Sequence, residues 1–309
     1  MPRYTPKELY DNYRNGFSGC LWEPHVYDHL METSKYPLFG DASKKIKGTG
    51  KGKLSTPYKS VLKFDKNPYN ERQTTGDCVS HGTRNACDVS RAVEIDIEKE
   101  REAWIAKGAT EAIYGYRGFS GQGMSCARAA EFVTNAGGIV VRKNYPGIAD
   151  FSKYNGNLGA GWGGRGLPDK VLDLANDHQI RTASLIKTVE EARDALANGY
   201  GLAVCSNYGF NSTRDKKGFA KQSGSWAHCM AWIACDDTGS EPAFLVQNSW
   251  GKWNDGGHPD WGPIPDGSFL IKADTAQGML SQNGSYAFSG FDGFPLQKLP
   301  NYGFNDYLD

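Results

Sequence analysis

The sequence has no excess of either charge, because 35 Lys and Arg residues balance 35 Asp and Glu residues in a chain of 309. Without a net positive field, we expect neither nucleic acid nor a membrane surface among its partners. No run approaches the ~20 consecutive apolar residues that a membrane-spanning helix needs. The N-terminus, MPRYTPKELYDNY, lacks the basic-then-apolar pattern of a secretory signal. The predicted location is the cytoplasm or the interior of a viral or phage particle, without export by the standard secretory route.

Closely spaced cysteine pairs are also missing. The seven cysteines are scattered at positions 20, 78, 87, 126, 205, 229 and 235, and no two of them form a CxxC motif. This spacing argues against a zinc ribbon and gives no reason to expect a metal or another cofactor. An odd number of dispersed cysteines favours a reducing compartment, so we expect most of these thiols to be reduced and buried.

The first 70 residues are predicted to form an N-terminal extension. Thr5, Pro6 and Glu8 have the pattern of a helix start, with a cap, a proline in the first turn and an acidic residue that closes a capping box. Residues 40–57, GDASKKIKGTGKGKLSTP, are rich in Gly, Lys and Ser without periodicity, which predicts an exposed loop. We expect the extension to be a docking element, which could bind a protein partner; the alternative is that it occludes a cleft of its own chain.

Helical patterns fill the middle of the chain. From Cys78 onward, small or apolar residues recur every three or four positions, at Val79, Gly82, Ala86, Val89, Val93 and Ile97. A second helix is predicted over residues 125–135, before Gly137 and Gly138 end it. Thr188 and Glu191 form a capping box that predicts the start of a third.

From Gly201 the pattern changes to short runs of β-branched and aromatic residues, namely GLAVCS, WAHCMAWIAC, AFLVQNSW and GSFLIK. Helices followed by strands predict an α+β fold in two lobes. We place the domain at residues 71–280, with a helical lobe at about 71–185 and a β lobe at about 186–280. Residues 281–309 are rich in Gly and aromatic side chains and are predicted to be a C-terminal tail, which either packs on the domain or meets a partner.

Three residues form a candidate catalytic set. Cys78 follows the glycine turn TTGDC at the start of the long helix, where unpaired N–H groups make a thiol easier to ionise. A thiolate nucleophile needs a proton shuttle, and His228 is the single histidine in an apolar run. Asn248 ends another predicted strand 20 residues later and can accept the ring N–H without adding charge. Trp250 is close enough in sequence to shield that hydrogen bond from water.

These pieces together resemble the papain-like cysteine peptidases: Gly76-Asp77-Cys78 opens a helix, His228 lies in an apolar strand, and Asn248-Ser249-Trp250-Gly251 follows a strand. The stretches SGQGMSCARAAEFVTNAGGIVVRKNYPG and TVEEARDALANGYGLAVCS are similar to that family as well, so the match covers about residues 70–275. The resemblance implies a helical left lobe and an antiparallel, β-barrel-like right lobe, with the active-site cleft between them.

The resemblance implies hydrolysis of peptide bonds through an acyl-enzyme. The Cys78 thiolate attacks the carbonyl carbon, His228 protonates the leaving amine, and water then frees the acyl group. The oxyanion is held by the backbone N–H of Cys78 and by the side chain of Gln73.

The resemblance also implies a substrate site for an extended polypeptide. Gln122, Gly123 and Met124 line the cleft, where family members bind substrate through main-chain hydrogen bonds, and Trp250 belongs to the same site. Neither a metal nor a cofactor takes part in this chemistry.

Several departures from the family pattern keep other functions open. Gln73 lies five positions before Cys78, where the family has six, and Val79 replaces the usual aromatic residue. Asp77 places a carboxylate beside the thiol, which disfavours the thiolate. The leading hypothesis is an active cysteine peptidase. The second is a papain-like module with weak or no activity, serving as a structural or binding component of a larger assembly such as a virus or phage particle. The third is transfer of the acyl group to an amine instead of water.

Overall fold

The computed structural model describes residues 19–65, 71–99 and 107–302, so the helix predicted at Thr5 lies outside the described residues. The helices within these ranges are α1 (Pro24–Thr33), α2 (Phe39–Ala42), α3 (Tyr58–Leu62), α4 (Cys78–Glu98), α5 (Glu111–Gly115), α6 (Cys126–Glu131), α7 (Gly156–Gly163), α8 (Asp169–Asn176), α9 (Val189–Ala197) and α10 (Ala273–Leu280). The strands are β1 (Leu54–Ser55), β2 (Asn144–Tyr145), β3 (Ala149–Asp150), β4 (Thr182–Leu185), β5 (Leu202–Arg214), β6 (Ala220–Asp236), β7 (Ala243–Gln247), β8 (Asp255–Gly256), β9 (Ser268–Lys272) and β10 (Ser285–Ser289).

The long helix α4 begins at Cys78 as predicted and packs against β6. Val79, Ala86 and Val93 on its apolar stripe are fully buried. Gly82 lies where the helix meets the strand, and a Cβ atom there would stand 2.5 Å from Cys229 Sγ. Glycine is therefore required for this close approach, which fixes the start of the helix beside β6.

Two further helix predictions are confirmed at their starts. The Thr188 Oγ1 accepts the backbone N–H of Glu191 at 3.2 Å, and the Glu191 carboxylate accepts the backbone N–H of Thr188 at 3.3 Å. Ser125 caps α6 by accepting the backbone N–H of Arg128 at 3.2 Å. Beyond Glu131 this helix widens into a π-helix over Phe132–Ala136 before it ends at the predicted glycines.

The main sheet has the strand order β4-β10-β5-β6-β7-β9, with β1 paired to β6 and β8 paired to β5. Along that path every pair is antiparallel, whereas β8 joins β5 in parallel. The predicted α+β fold is confirmed, and the sheet of the described residues is open and does not close into a barrel. Strand β10 lies inside the segment expected to form a C-terminal tail, so the sheet extends past residue 280.

The hairpin of β5 and β6 is longer than the apolar runs that predicted it. Its inner part is buried, whereas residues 221–225 at the outer part of β6 are exposed. The pairing shifts register between Ser206 and Arg214, which lets the polar ends curve away from the core. His228 pairs with Ser206 and is the first fully buried residue that follows the exposed part of β6. The strand thus delivers this histidine to the border between core and surface.

Apolar side chains collect in two large clusters, one mainly among the helices and one mainly on the sheet. The first contains Cys78, Ile113, Phe132 and Phe151, and the second contains Phe39, Leu202, Trp232 and Phe269. Among the described residues, each helix is too short or too polar to cross a membrane.

Candidate active site

Cys78 lies at the first turn of α4, and its side chain is fully buried. The backbone N–H of Cys229, the residue after His228, forms a hydrogen bond with the Cys78 sulfur. Burial raises the pKa of the Cys78 thiol to about 12, although this N–H partly opposes the rise, and the charge of Asp77 raises the pKa further. The sequence predicted a thiol that ionises easily at a helix start. That expectation is wrong for this structure, because desolvation outweighs the helix terminus.

His228 and Asn248 meet as the sequence predicted, with 2.8 Å between His228 Nε2 and Asn248 Oδ1. The same Oδ1 accepts the backbone N–H of Ser249 at 2.7 Å, so the amide presents its oxygen to the ring. Nε2 must then carry the proton, which leaves the Nδ1 lone pair available as a base. Burial lowers the pKa of His228 to about 4, the hydrogen bond that the ring donates to Asn248 partly opposes this, and the charge of His81 adds to the lowering.

Trp250 covers the His228 ring, with 4.6 Å between ring centroids and 34° between the planes. Trp226 and Trp253 complete an aromatic cluster with it, at centroid distances of 4.9 and 5.1 Å from Trp250. Sequence reasoning missed Trp226 and Trp253. The signal was the repeated tryptophan close to each member of the pair, two residues before His228 and five after Asn248.

Gln73 lies against the Asn-Ser-Trp loop. Its Oε1 accepts hydrogen bonds from Ser249 Oγ at 2.5 Å and from Trp250 Nε1 at 3.1 Å, and its backbone N–H donates to the Ser249 carbonyl at 2.8 Å. Its Nε2 donates to the Thr75 carbonyl at 2.8 Å. These contacts hold the amide nitrogen beside the turn that leads to Cys78, with one N–H used by Thr75 and one more to donate.

Gln122 and Gly123 lie on the other side of the same turn. Gln122 Oε1 accepts hydrogen bonds from Thr75 Oγ1 at 2.8 Å and from the backbone N–H of Gly76. Gly123 N–H donates to the Gly76 carbonyl at 3.1 Å. Beside this turn lies an open groove of about 1250 Å³, whose lining includes Gln73, Gly76, Gln122, Trp250 and Trp253.

Residues 19–23, here called the occluding segment, lie across the cleft. Met124 pairs with this segment through its backbone, donating to Gly19 at 3.1 Å and accepting from Leu21 at 3.0 Å. Cys20 N–H donates to the carbonyl of Ala227 at 3.0 Å, directly before His228. A Cβ atom on Gly19 would stand 2.9 Å from Cys78 Sγ, so the backbone of the segment covers the thiol.

A buried ion pair anchors the occluding segment. Glu23 and Arg128 are both fully buried, and Arg128 Nε lies 3.0 Å from each Glu23 oxygen. Ser125 Oγ also donates to Glu23, at 2.6 Å. The sequence favoured a docking extension at this end of the chain over one that occludes the cleft, and residues 19–23 follow the second alternative.

Asp77 is buried and makes no cap for α4, because its side chain accepts no backbone N–H of that helix. Its Oδ2 accepts a hydrogen bond from the Tyr154 hydroxyl at 2.9 Å and lies 3.5 Å from His81 Nε2. The carboxylate thus points into a polar network behind the nucleophile turn.

Cys126 of α6 and Cys205 of β5 form a disulfide, with a Cα–Cα distance of 6.5 Å. Both are buried, as the sequence predicted for most of the cysteines, but the expectation of reduced thiols is wrong for these two. The two cysteines are 79 residues apart and belong to different elements, so no spacing in the sequence reveals the pairing. The other described cysteines, at 20, 78, 87, 229 and 235, are free. Cys20 forms a three-sulfur group with the disulfide, and while the disulfide is intact Cys20 alone of the three can supply a thiolate to a metal.

No protein-family model and no curated protein matches the chain. Among solved structures it is similar to xylellain, a cysteine protease from Xylella fastidiosa, with 14% identity, coverage of 71% of this chain and 81% of that chain, and a TM-score of 0.48. It is also similar to procathepsin B S9 from Trypanosoma congolense, with 11% identity, coverage of 93% and 98%, and a TM-score of 0.49. Procathepsin L 3 of the Tenebrio molitor larval midgut shares 11% identity, with coverage of 92% and 87% and a TM-score of 0.48. The roles of the residues in this chain therefore rest on its own geometry.

Proposed function

We propose that the protein is a cysteine peptidase whose cleft is closed by its own N-terminal segment. In this proposal Cys78 is the nucleophile, His228 the proton shuttle and Asn248 the residue that orients the ring. The observation that carries it is the 2.8 Å contact of His228 Nε2 with Asn248 Oδ1. The residue after His228 on the same strand, Cys229, donates its backbone N–H to the Cys78 sulfur.

The protons move as follows once the cleft opens. His228 Nδ1 takes the thiol proton of Cys78, and the thiolate attacks the carbonyl carbon of the substrate. The imidazolium then protonates the leaving amine, which breaks the C–N bond and leaves a thioester on Cys78. Water attacks the thioester with Nδ1 as general base, which regenerates the thiol. The second N–H of Gln73 and the backbone N–H of Cys78 are the proposed oxyanion donors.

The substrate class follows from how the occluding segment is held. An extended backbone pairs with both backbone groups of Met124 and with the carbonyl of Ala227. A substrate polypeptide that replaces residues 19–21 can form the same main-chain hydrogen bonds, with its scissile carbonyl near Cys78. The groove lined by Gln122 and Trp250 then receives the part of the substrate on the far side of the turn.

The test must first release the occluding segment. Glu23→Gln breaks the buried ion pair with Arg128 by replacing the carboxylate with a neutral amide, which destabilises the closed state by about 3–5 kcal/mol. We expect the Glu23→Gln protein to cleave a peptide library, and mass spectrometry of the products detects the cleavage. Cleavage must disappear when Cys78→Ala is added and persist when Cys235→Ser, a buried cysteine elsewhere in β6, is added.

The second candidate, a binding or structural module without activity, is favoured by the complete burial of Cys78 and by the carboxylate of Asp77 beside it. It predicts that the Glu23→Gln protein binds extended peptides but leaves them intact. Intact peptides with a folded protein and an alkylatable Cys78 would decide for this candidate.

A further inference from the structure

Four cysteines lie together at the edge of the cleft. The Sγ atoms of Cys20, Cys126 and Cys205 all lie within 4.8 Å of one another. Cys229 Sγ lies 3.6 Å from Cys126 Sγ. Cys126 and Cys205 form the disulfide, whereas Cys20 and Cys229 are free thiols. A free thiol this close to a disulfide needs only a small movement to attack it.

The backbone holds Cys20 in this position from both sides. Its own N–H donates to Ala227 and the next N–H, of Leu21, donates to Met124, both at 3.0 Å. A cavity of about 150 Å³ borders the side chains of Cys20, Cys126 and Cys205 and gives their sulfur atoms room to change partners. The three cysteines come from three separate parts of the fold: the occluding segment, α6 and β5.

We infer that this cluster is a thiol–disulfide exchange site, in which Cys20 replaces Cys126 as the partner of Cys205 and ties the occluding segment to β5. The Cys20 thiolate attacks Cys205 Sγ, the new S–S bond forms, and the Cys126–Cys205 bond breaks. Cys126 leaves as a thiolate and takes up the proton that Cys20 lost. One disulfide and one thiol are present before and after, so the step consumes no oxidant and no reductant.

The contact with Cys229 decides the direction of the exchange. Cys126 is the disulfide sulfur that has a second thiol beside it, at 3.6 Å. An S–H···S contact from Cys229 stabilises negative charge on Cys126 as it leaves, and a better-stabilised thiolate leaves faster. The expected product therefore contains a Cys20–Cys205 bond and a free Cys126.

The two disulfide states hold the cleft closed by different means. With Cys126–Cys205 intact, the occluding segment is held by hydrogen bonds and by the Glu23–Arg128 pair. With Cys20–Cys205 formed, it is held by a covalent bond close to the residue that covers Cys78. The exchange itself does not require Cys78 to be catalytic, so it is testable even if the proposed peptidase activity fails.

Peptide mapping under non-reducing conditions tests the inference on the full chain. The protein is incubated without reductant or oxygen at a series of pH values, quenched with acid, alkylated and digested with trypsin. Cys20, Cys126 and Cys205 fall in three different tryptic peptides, 15–35, 118–128 and 194–214, so each disulfide gives a distinct mass. Burial raises the pKa of Cys20 well above its ordinary value, so the exchange rate should rise about tenfold per pH unit.

We expect the Cys20–Cys205 peptide pair in at least about one chain in twenty at equilibrium, together with alkylated Cys126. The pair must be absent from Cys20→Ser and present in Cys235→Ser. In the Glu23→Gln protein, its appearance should be accompanied by slower alkylation of Cys78. Any of four results would overturn the inference. These are Cys126–Cys205 as the sole intrachain pair at every pH, a Cys20–Cys126 pair, a disulfide between two chains, and Cys126 and Cys205 both reduced from the start.

Discussion

The β side of the candidate active site, which carries His228, and the helical side, which carries Cys78, differ in how completely their residues are arranged for catalysis. On the β side, His228 has its orienting partner, its tautomer and an aromatic cover from Trp250. On the helical side, Cys78 is buried beneath Gly19, and burial raises the pKa of its thiol to about 12. Burial also lowers the pKa of His228 to about 4, so in the closed protein desolvation favours the neutral form of both groups.

This difference indicates that the occluding segment, and not the proton shuttle, is what prevents catalysis in the closed protein. Uncovering the thiol restores its contact with water and removes the largest cause of its raised pKa. On the β side, His228 already has its hydrogen bond and its aromatic cover. Changes to the β side should therefore reduce chemistry in an open protein, and changes to the occluding segment should create it.

The largest effect is expected from His228→Ala on a Glu23→Gln background. Loss of the proton shuttle should lower turnover by about 10²–10⁴-fold, because the thiol loses its base and the leaving amine its acid. Asn248→Ala should lower turnover much less, since Asn248 only orients the ring. Steady-state peptide cleavage measures both, with circular dichroism as the check on folding. Equal losses in the two variants would contradict this division of roles.

Release of the occluding segment is the next largest effect. Glu23→Gln should increase the rate of Cys78 alkylation by iodoacetamide by about 10²–10⁴-fold, because loss of the buried ion pair with Arg128, at about 3–5 kcal/mol, opens the cleft. Peptide mapping of limited labelling measures this. Cys87, Cys229 and Cys235 should stay unlabelled, since burial raises the pKa of each well above its ordinary value.

The matched control is Glu32→Gln, an exposed carboxylate on α1 that should leave the labelling rate unchanged. Gly19→Ala is a milder second route to release, because its methyl group would stand 2.9 Å from both Cys78 Sγ and the Ala227 carbonyl. If neither Glu23→Gln nor Gly19→Ala increases labelling, the segment is not what protects the thiol.

Local patterns in the sequence predicted the elements that carry the candidate residues on both sides and missed the segment that covers them. The start of α4 at Cys78 and the capping box of Thr188 and Glu191 depend on residues a few positions apart, so periodicity and capping rules find them. His228 and Asn248 were predictable because each lies in or at the end of a short apolar run of the sequence. Their meeting required only that β6 and β7 be neighbours.

The closed side depends on contacts that no local pattern encodes. Glu23 and Arg128 are 105 residues apart, and Cys126 and Cys205 are 79 apart. A lone acidic residue near the N-terminus has the same appearance whether it is solvated or buried against an arginine. The pKa of Cys78 was misjudged for the same reason, because the sequence shows the helix start but not the segment that covers it.

The pH dependence of stability tests whether His228 is buried and neutral. Burial lowers its pKa to about 4, so below its ordinary value of 6.5 the unfolded chain takes up a proton that the folded chain does not. The free energy of unfolding should therefore fall as the pH drops from 6.5 towards 4, by on the order of 3 kcal/mol from this group. Urea unfolding of the wild type and of His228→Gln at pH 7 and pH 4.5 isolates the contribution of His228, because the contributions of the other groups are common to both proteins and cancel in the difference. Parallel changes in the two proteins would mean that His228 is solvated.

The smallest expected effect concerns Asp77, which sits on the helical side directly beside the thiol. After burial and the opposing Cys229 N–H, its charge is the next cause of the raised pKa of Cys78. At several ångströms, in a cleft opened to water with an effective dielectric of about 40, such repulsion is on the order of 1–2 kcal/mol, or about one pKa unit. Asp77→Asn on the Glu23→Gln background should therefore shift the pH profile of Cys78 alkylation about one unit lower.

Tyr154 provides the matched comparison, because its hydroxyl donates to Asp77 at 2.9 Å and holds the carboxylate in the network with His81. Tyr154→Phe keeps the negative charge but frees the carboxylate to turn towards the thiol, so it should shift the alkylation profile to higher pH. The two variants must move the profile in opposite directions if the charge acts through space. If both move it equally in one direction, Asp77 supports the nucleophile turn by packing, and its charge has no part in the masking of Cys78.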